Sequence, residues 1–161
     1  MTRTNNTDLK DVWQTPPEIL DMLRPIDVDP CAGEDTHIGR DANYDKSDDG
    51  LWKQWHGRVF VNPPFSQKRA WLQKVIEEQG NTDCIFVVTP DSTDTKSWCH
   101  SYIAEEADYI WFSRGRISYI NPETGERAKN PTFGTAISVF GEPGARTIAR
   151  LQREGQLLQT V

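Results

Sequence analysis

Apolar runs separated by polar segments recur along the chain of 161 residues, and their spacing predicts which stretches form strands. Residues 84–88 (CIFVV) are apolar without interruption, which is typical of a central parallel strand covered on both faces. Residues 58–61 (RVFV) are predicted as another buried strand, and residues 26–29 alternate apolar and polar positions as a short strand does. Further strands are predicted at residues 109–112, 117–120 and 135–140.

Helical spacing of apolar residues predicts helices between these strands. Thr15, Pro16 and Glu18 fit a capping box with a proline at the first helical position, and Pro25 ends this first helix. A second helix is expected to begin at a capping Ser66. This second helix is predicted at residues 66–79, and two later helices are predicted at residues 96–107 and 145–156.

The polar, acidic segment 30–50 is too long for a bare connection in a compact domain, so we expect it to be a functional loop. It is followed by Trp52 and Trp55, whose spacing predicts a short helical turn packed on the core. Strands and helices alternate through the middle of the chain. This order predicts the α/β class, with a mainly parallel sheet and antiparallel pairing near the C-terminal end. Residues 1–10 are polar, and we expect them to be frayed.

Composition and charge exclude several classes of function. The net charge of −6 argues against a protein that coats nucleic acid or an anionic membrane by charge alone. No apolar run approaches the roughly 20 residues of a membrane span or forms a secretory signal, so a soluble, cytoplasmic protein without a membrane partner is expected. The cysteines at positions 31, 84 and 99 lack the spacing of metal ligands, which predicts reduced thiols and no metal site.

The tetrad Asn62-Pro63-Pro64-Phe65 follows one of the predicted buried strands. Ligands of open α/β sheets bind beyond the carboxyl ends of the strands, so this position favours a functional role. Two prolines lack N–H groups, and the turn therefore offers carbonyl oxygens beside the Asn62 side chain and the flat face of Phe65. Such a set suits a planar group that carries an NH2. The alternative is a rigid turn in which the prolines only end the strand.

The chain resembles the small phage-type, Dam-like DNA N6-adenine methyltransferases, a branch of the S-adenosylmethionine-dependent amino-methyltransferases. The resemblance implies a single Rossmann-like methyltransferase domain over residues 11–161. The chain departs from the wider superfamily in one respect: no G-x-G loop follows its first strand, and that segment contains only Gly33. The segments that carry the resemblance are DVWQTPPEIL (11–20), DVDPCAG (27–33), DDGLWKQWHGRVFVNPPF (48–65) and RGRISY (114–119).

The resemblance implies direct transfer of a methyl group from S-adenosyl-L-methionine to the N6 amine of a flipped-out adenine in DNA. The implied catalytic residues are Asn62, Pro63, Pro64 and Phe65, with Asn62 and the Pro63 carbonyl as acceptors for the amine and Phe65 stacked on the base. Among the carboxylates that the resemblance implies for the cofactor, Asp29 and Asp49 are favoured and Asp41 is the weaker candidate. The full set of implied cofactor-binding residues is Trp13, Thr15, Asp29, Pro30, Cys31, Ala32, Asp41 and Asp49.

Basic side chains near a glycine-containing turn and beside the tetrad are candidates for contacts with DNA phosphates, although they equally fit a solvated surface. They are Lys68, Arg69, Arg114, Arg116, Arg127 and Lys129. Loops 91–97 and 113–132 are the expected source of sequence specificity. Two alternatives stay open: methylation of an RNA base or a protein glutamine amide, and a module that binds DNA or cofactor without turnover. The sequence leaves the target site and the oligomeric state undetermined.

Overall fold

A seven-stranded mixed sheet forms the centre of the molecule in a computed structural model, which describes residues 13–95 and 103–160. Its strands lie in the order β2-β1-β3-β4-β6-β5-β7. The pairings from β2 through β4 are parallel, and those among β4, β6, β5 and β7 are antiparallel. The strands are β1 (Val28–Asp29), β2 (Ala42–Asn43), β3 (Arg58–Val61), β4 (Cys84–Pro90), β5 (Tyr109–Ser113), β6 (Thr135–Gly141) and β7 (Gly155–Gln159).

The strand order reverses between β1 and β3, because β2 lies on one side of β1 whereas β3 and β4 lie on the other. Doubly wound α/β sheets bind their ligands at such a reversal, outside the carboxyl ends of the strands. The predicted α/β class and Rossmann-like architecture are therefore confirmed, as is the antiparallel pairing near the C-terminal end; among the described strands, three pairings are parallel and three are antiparallel. The segments that leave β1 and β3 flank the expected binding crevice.

Helices cover both faces of the sheet. On one face, α1 (Pro17–Leu23) and α4 (Ala145–Glu154) pack with Phe60, Phe86 and other apolar residues of the strands. On the other face, α2 (Lys68–Glu78) and α3 (Ile103–Glu106) pack against Val61, Val87 and their neighbours. Successive residues of a strand point to opposite faces, so the unbroken apolar run in β4 supplies both cores.

Two element predictions need correction. Residues 117–120 do not form a strand with a run of partners; Ile120 alone pairs with Gln14 and with Arg127. The last helix ends at Glu154, and the chain then forms β7 along the edge of β5. A local apolar pattern contains no information about that long-range pairing. Of the helix predicted at 96–107, the described part is α3, and residues 96–102 lie outside the described residues, as do residues 1–12.

The capping box predicted for the first helix is also wrong. The residue that precedes α1 is Pro16, and no side chain caps the helix. The Thr15 hydroxyl instead accepts a hydrogen bond from the Asn62 amide, and the Glu18 carboxylate forms an ion pair with Arg127. Tertiary partners thus replace the local cap. Similarly, a turn at Phe65–Gln67 precedes α2, so the residue before that helix is Gln67 rather than Ser66.

The described residues contain no helix that is long and apolar enough to cross a membrane.

Candidate active site

The tetrad lies at the carboxyl end of β3, at the sheet edge where β1, β2 and β4 also end. Pro63 is buried, and the Pro64 carbonyl accepts a hydrogen bond from the Gln67 backbone N–H at 3.0 Å. Among the described residues, no group donates to the Pro63 carbonyl. The two prolines therefore differ: the carbonyl of Pro64 helps to close the turn before α2, whereas the carbonyl of Pro63 keeps its acceptor capacity.

Asn62 and Phe65 line a cavity of about 210 Å³ that we call the aromatic cavity. Sites that bury a drug-sized ligand are larger, roughly 300–1,000 Å³, so this cavity suits a single ring system. It is open to the surface and mostly apolar. Its lining residues are Trp13, Asn62, Phe65, Val88, Thr89, Tyr119, Ala128, Lys129, Asn130, Pro131, Thr132 and Phe133.

Three aromatic rings form one wall of the aromatic cavity. Phe133 lies between the other two, with its ring centroid 5.5 Å from that of Phe65 and 5.9 Å from that of Tyr119. The Tyr119 hydroxyl is hydrogen-bonded to the Thr135 hydroxyl at 3.0 Å. Burial raises the pKa of Tyr119 to about 12, so its phenol is neutral at physiological pH. The wall is therefore uncharged and suited to stacking against a planar base.

The Asn62 side chain is half-buried and anchored through its nitrogen. Its Nδ2 donates to Thr15 Oγ1 at 2.9 Å and lies 3.5 Å from the Trp13 carbonyl oxygen. Thr15, predicted as a cofactor residue, is buried and contacts the tetrad directly. Trp13, predicted in the same role, lines the aromatic cavity. The structure thus places both residues beside Asn62.

A second pocket, of about 290 Å³, lies beyond the ends of β1 and β2. We call it the acidic pocket, because three carboxylates line it and none of its lining residues is Lys or Arg. Two predicted cofactor residues, Ala32 and Asp41, belong to it, and Asp41 also contacts the His56 ring at 3.1 Å. The lining residues are Ala32, Gly33, Asp35, Thr36, His37, Asp41, Ala42, Asn43 and Asp45.

The loop after β1 holds the other predicted cofactor residues. Asp29 is 2% exposed, and burial raises the pKa of its carboxyl to about 7, although a hydrogen bond from the Cys31 backbone N–H partly opposes this rise. Burial and the neighbouring Asp29 charge raise the pKa of the Cys31 thiol to about 12. Cys31 is therefore protonated and a poor nucleophile. Asp29 lines neither of the two cavities described above.

Asp49 and Pro30 belong to a tightly packed corner. Asp49 is exposed with a positive φ of 56°, and Gly50 after it is buried against the Pro30 carbonyl oxygen. A Cβ on Gly50 would lie 1.8 Å from that oxygen, so only glycine fits. Trp55 is buried and its indole N–H donates to the Gly50 carbonyl at 3.0 Å. Trp52, expected on the core, is 85% exposed, because the turn directs it away from the sheet.

The predicted DNA-contacting residues fall into two groups. Lys129 lines the aromatic cavity, and Lys68 and Arg69 begin α2 just beyond Phe65. Arg114 is exposed on the connection after β5. The remaining two are already engaged within the chain. Arg116 Nη1 donates to the Pro131 carbonyl at 2.8 Å, and Arg127 is paired with Glu18, whose pKa this hydrogen bond lowers.

Several residues of the site had no individual signal in the sequence. Phe133 lies in an irregular segment between polar residues and glycine, where no periodicity identifies a wall residue. Tyr119 belongs to the quoted RGRISY segment, which indicated its importance but not its position. Asp45 and Asn43 lie within the loop that was expected to be functional because of its length, and they join the acidic pocket only through the pairing of β2 with β1.

Comparison with known proteins identifies relatives along nearly the whole chain. The family model described as DNA N-6-adenine-methyltransferase (Dam) matches residues 2–156. A DNA N-6-adenine-methyltransferase of Escherichia phage T1 is 25% identical over 178 aligned positions, which cover 98% of this chain and 70% of the relative. A protein of the same name from Haemophilus phage HP1 is 25% identical over 153 positions, covering 90% and 87% of the two chains.

Among solved structures, a proposed RNA methyltransferase of Pyrococcus horikoshii matches with a TM-score of 0.39 and 14% identity, over 62% of this chain and 50% of its own. The strand order of the sheet itself is what identifies the fold.

Proposed function

Because the chain belongs to the DNA N-6-adenine-methyltransferase (Dam) family, we propose that it transfers a methyl group from S-adenosyl-L-methionine to the N6 amine of an adenine in DNA. We take residues 11–161 as one catalytic domain that acts in the cytoplasm, where the DNA is. The observation that carries the proposal is the position of Asn62: an amide at the strand-order reversal, on the wall of a cavity lined by aromatic rings.

The aromatic cavity suits an extruded adenine. N6 of a paired adenine lies inside the duplex, so an enzyme that modifies it must flip the base out or use a single strand. Phe65, Phe133 and Tyr119 provide apolar, uncharged surface for the base, and stacking on such rings is worth about 1–3 kcal/mol per base. Lys129 at the rim, with Lys68 and Arg69 nearby, would meet the phosphates on either side of the flipped nucleotide.

The acidic pocket suits a polar part of the methyl donor rather than DNA. Asp35, Asp41 and Asp45 would repel a phosphate backbone, whereas carboxylates accept hydrogen bonds from ribose hydroxyls and attract a cationic ligand. When bound, S-adenosyl-L-methionine supplies a methyl group on a positively charged sulfur, which leaves as a neutral thioether when the amine displaces it. We assign Asp41 and Ala32 to this pocket, together with Asp45, and place Asp29, Pro30, Cys31 and Asp49 in its supporting loops.

The tetrad prepares the amine for attack. An aromatic amine is a weak nucleophile, because its lone pair is delocalised into the ring. Two acceptors, Asn62 Oδ1 and the Pro63 carbonyl oxygen, would hold its two hydrogens and favour a pyramidal nitrogen. The same oxygen dipoles would stabilise the positive charge that develops on the nitrogen during transfer. Neither acceptor takes a proton at neutral pH, so the product proton leaves to water.

A methyl-transfer assay with the purified chain tests the proposal. Labelled S-adenosyl-L-methionine is incubated with DNA of mixed sequence, with RNA and with a protein lysate, and the products are analysed as nucleosides and peptides. We expect N6-methyladenine in DNA. Asn62→Ala should lower the rate by about 10²–10³, the usual cost of removing one preorganised polar group from a transition state.

Phe65→Tyr and Phe65→Leu form a matched pair for the stacking role. Tyr keeps an aromatic face and should retain activity, whereas Leu keeps apolar bulk and should weaken use of DNA by the equivalent of about 1–3 kcal/mol. Methyl transfer to RNA or to glutamine instead of DNA would contradict the proposed substrate. Binding of S-adenosyl-L-methionine without transfer to any of the three would contradict the enzymatic role.

A further inference from the structure

The nitrogen of Asn62 is tied to the segment that precedes α1. Nδ2 donates to Thr15 Oγ1 at 2.9 Å and lies 3.5 Å from the Trp13 carbonyl oxygen. Thr15 is only 6% exposed, so its hydroxyl makes this contact away from bulk water. Within residues 13–95 and 103–160, no donor approaches Asn62 Oδ1, and the residue lines the aromatic cavity.

The chemistry of these partners determines which end of the amide faces them. A backbone carbonyl can only accept a hydrogen bond, so the side of Asn62 that faces Trp13 must carry the NH2 group. With that group directed at Thr15, the Thr15 hydroxyl acts as acceptor. The terminal torsion of asparagine is broad and has two similar minima, so without such partners the amide could turn over.

The orientation matters because the substrate group is itself a donor. An adenine N6 amine presents two N–H groups, and only the oxygen end of Asn62 can accept one of them. A reversed amide would place NH2 against NH2, which removes an acceptor and adds repulsion. We infer that Thr15 is a positioning residue that holds Asn62 with its oxygen available to the substrate. This inference rests on the proposed function of Asn62.

A second link holds Thr15 in place. The neighbouring Gln14 exchanges two backbone hydrogen bonds with Ile120, Gln14 N–H to the Ile120 carbonyl at 2.8 Å and the reverse at 2.9 Å. Ile120 in turn pairs with Arg127, and Arg127 forms an ion pair with Glu18 at the start of α1. The segment that carries Thr15 is therefore fixed on both sides, and the hydroxyl reaches Asn62 from a rigid support.

A matched pair of variants tests the inference by steady-state kinetics. Thr15→Val keeps the shape and removes the hydroxyl, whereas Thr15→Ser keeps the hydroxyl. We expect Thr15→Val to lower kcat by roughly ten- to a hundredfold, the cost of losing one buried hydrogen-bond partner. The KM values for DNA and for S-adenosyl-L-methionine should stay near those of the wild type, and Thr15→Ser should restore most of kcat.

A double-mutant cycle on stability tests the contact without using activity. Urea unfolding of wild type, Thr15→Val, Asn62→Ala and the double variant gives the coupling between the two side chains. We expect a coupling of roughly five- to tenfold in the unfolding constant. If the wild-type chain does not methylate DNA, the proposed function fails, but a measured coupling still supports the contact.

Three results would overturn the inference. The first is an unchanged kcat in Thr15→Val while Asn62→Ala slows transfer. The second is an equal loss in Thr15→Ser and Thr15→Val, which indicates a purely structural role. The third is the absence of coupling between positions 15 and 62, whatever the chain methylates. If Thr15→Val raises the KM for S-adenosyl-L-methionine and leaves kcat unchanged, the first result is also met, because Thr15 then acts on the cofactor and not on Asn62.

Discussion

Asp29 should make the stability of this protein depend on pH in an unusual direction. Its carboxyl is buried at the end of β1 and accepts a hydrogen bond from the Cys31 backbone N–H at 3.3 Å. Burial raises its pKa from the ordinary 3.8 to about 7. Replacement by asparagine keeps the size and the acceptor oxygen but removes the titration, so Asp29→Asn isolates the effect of the charge.

The sign follows from proton binding in the two states. Between pH 3.8 and about 7, the folded protein retains a proton on Asp29 that the unfolded chain has released. The free energy of unfolding therefore falls as pH rises through this window and levels off above it. Each tenfold difference in proton affinity is worth about 1.4 kcal/mol, so the full effect of this carboxyl amounts to about 4 kcal/mol.

Urea unfolding of wild type and Asp29→Asn, followed at several pH values between about 4.5 and about 8, measures this effect. The stability of the variant relative to the wild type should increase with pH across this range, by a few kcal/mol in all, and level off above about pH 7. Glu123→Gln is the matched control, because Glu123 is exposed on a turn. A difference between wild type and Asp29→Asn that stays constant with pH would refute the reasoning.

Two further predictions concern DNA affinity and the core. Lys129→Ala should weaken DNA binding at all sequences and reduce the slope of log affinity against log salt by about one, measured by fluorescence anisotropy. Arg150→Ala is the control, because Arg150 contacts the Asp21 and Arg24 carbonyls at the opposite edge of the sheet; equal salt slopes in wild type and Lys129→Ala would contradict the assignment. Ser138→Ala should leave urea stability unchanged or raise it by up to about 1 kcal/mol, because the buried Ser138 hydroxyl has no hydrogen-bond partner among the described residues. A loss of stability in Ser138→Ala would indicate a partner for that hydroxyl.

The central part of the fold could be predicted from the sequence because its signals are local. The apolar residues 59–61 of β3 and 84–88 of β4 are each followed within two residues by proline, which indicates buried parallel strands and where they end. Parallel pairing then brings the segments after β1, β3 and β4 to one edge. The position of Asn62 at the carboxyl end of the parallel strands follows from these two facts.

The remaining features depend on contacts between distant parts of the chain. Thr15 has the local signature of a helix cap, but its hydroxyl instead accepts a hydrogen bond from Asn62, 47 positions away. The predicted last helix runs on to residue 156, yet the helix ends at Glu154 and residues 155–159 pair with β5. Phe133 lies just before β6 and joins the aromatic wall only through its ring contacts with Phe65 and Tyr119. No periodicity encodes such contacts.

The most direct test of the account is nucleoside analysis of plasmid DNA recovered from cells that have no adenine methylation of their own. Expression of the wild-type chain should produce N6-methyldeoxyadenosine in that plasmid, and expression of Asn62→Ala at the same level should produce far less. Unmodified adenine in both samples, or equal methylation by the two proteins, would contradict the claim that the Asn62 oxygen receives the amine of a flipped adenine.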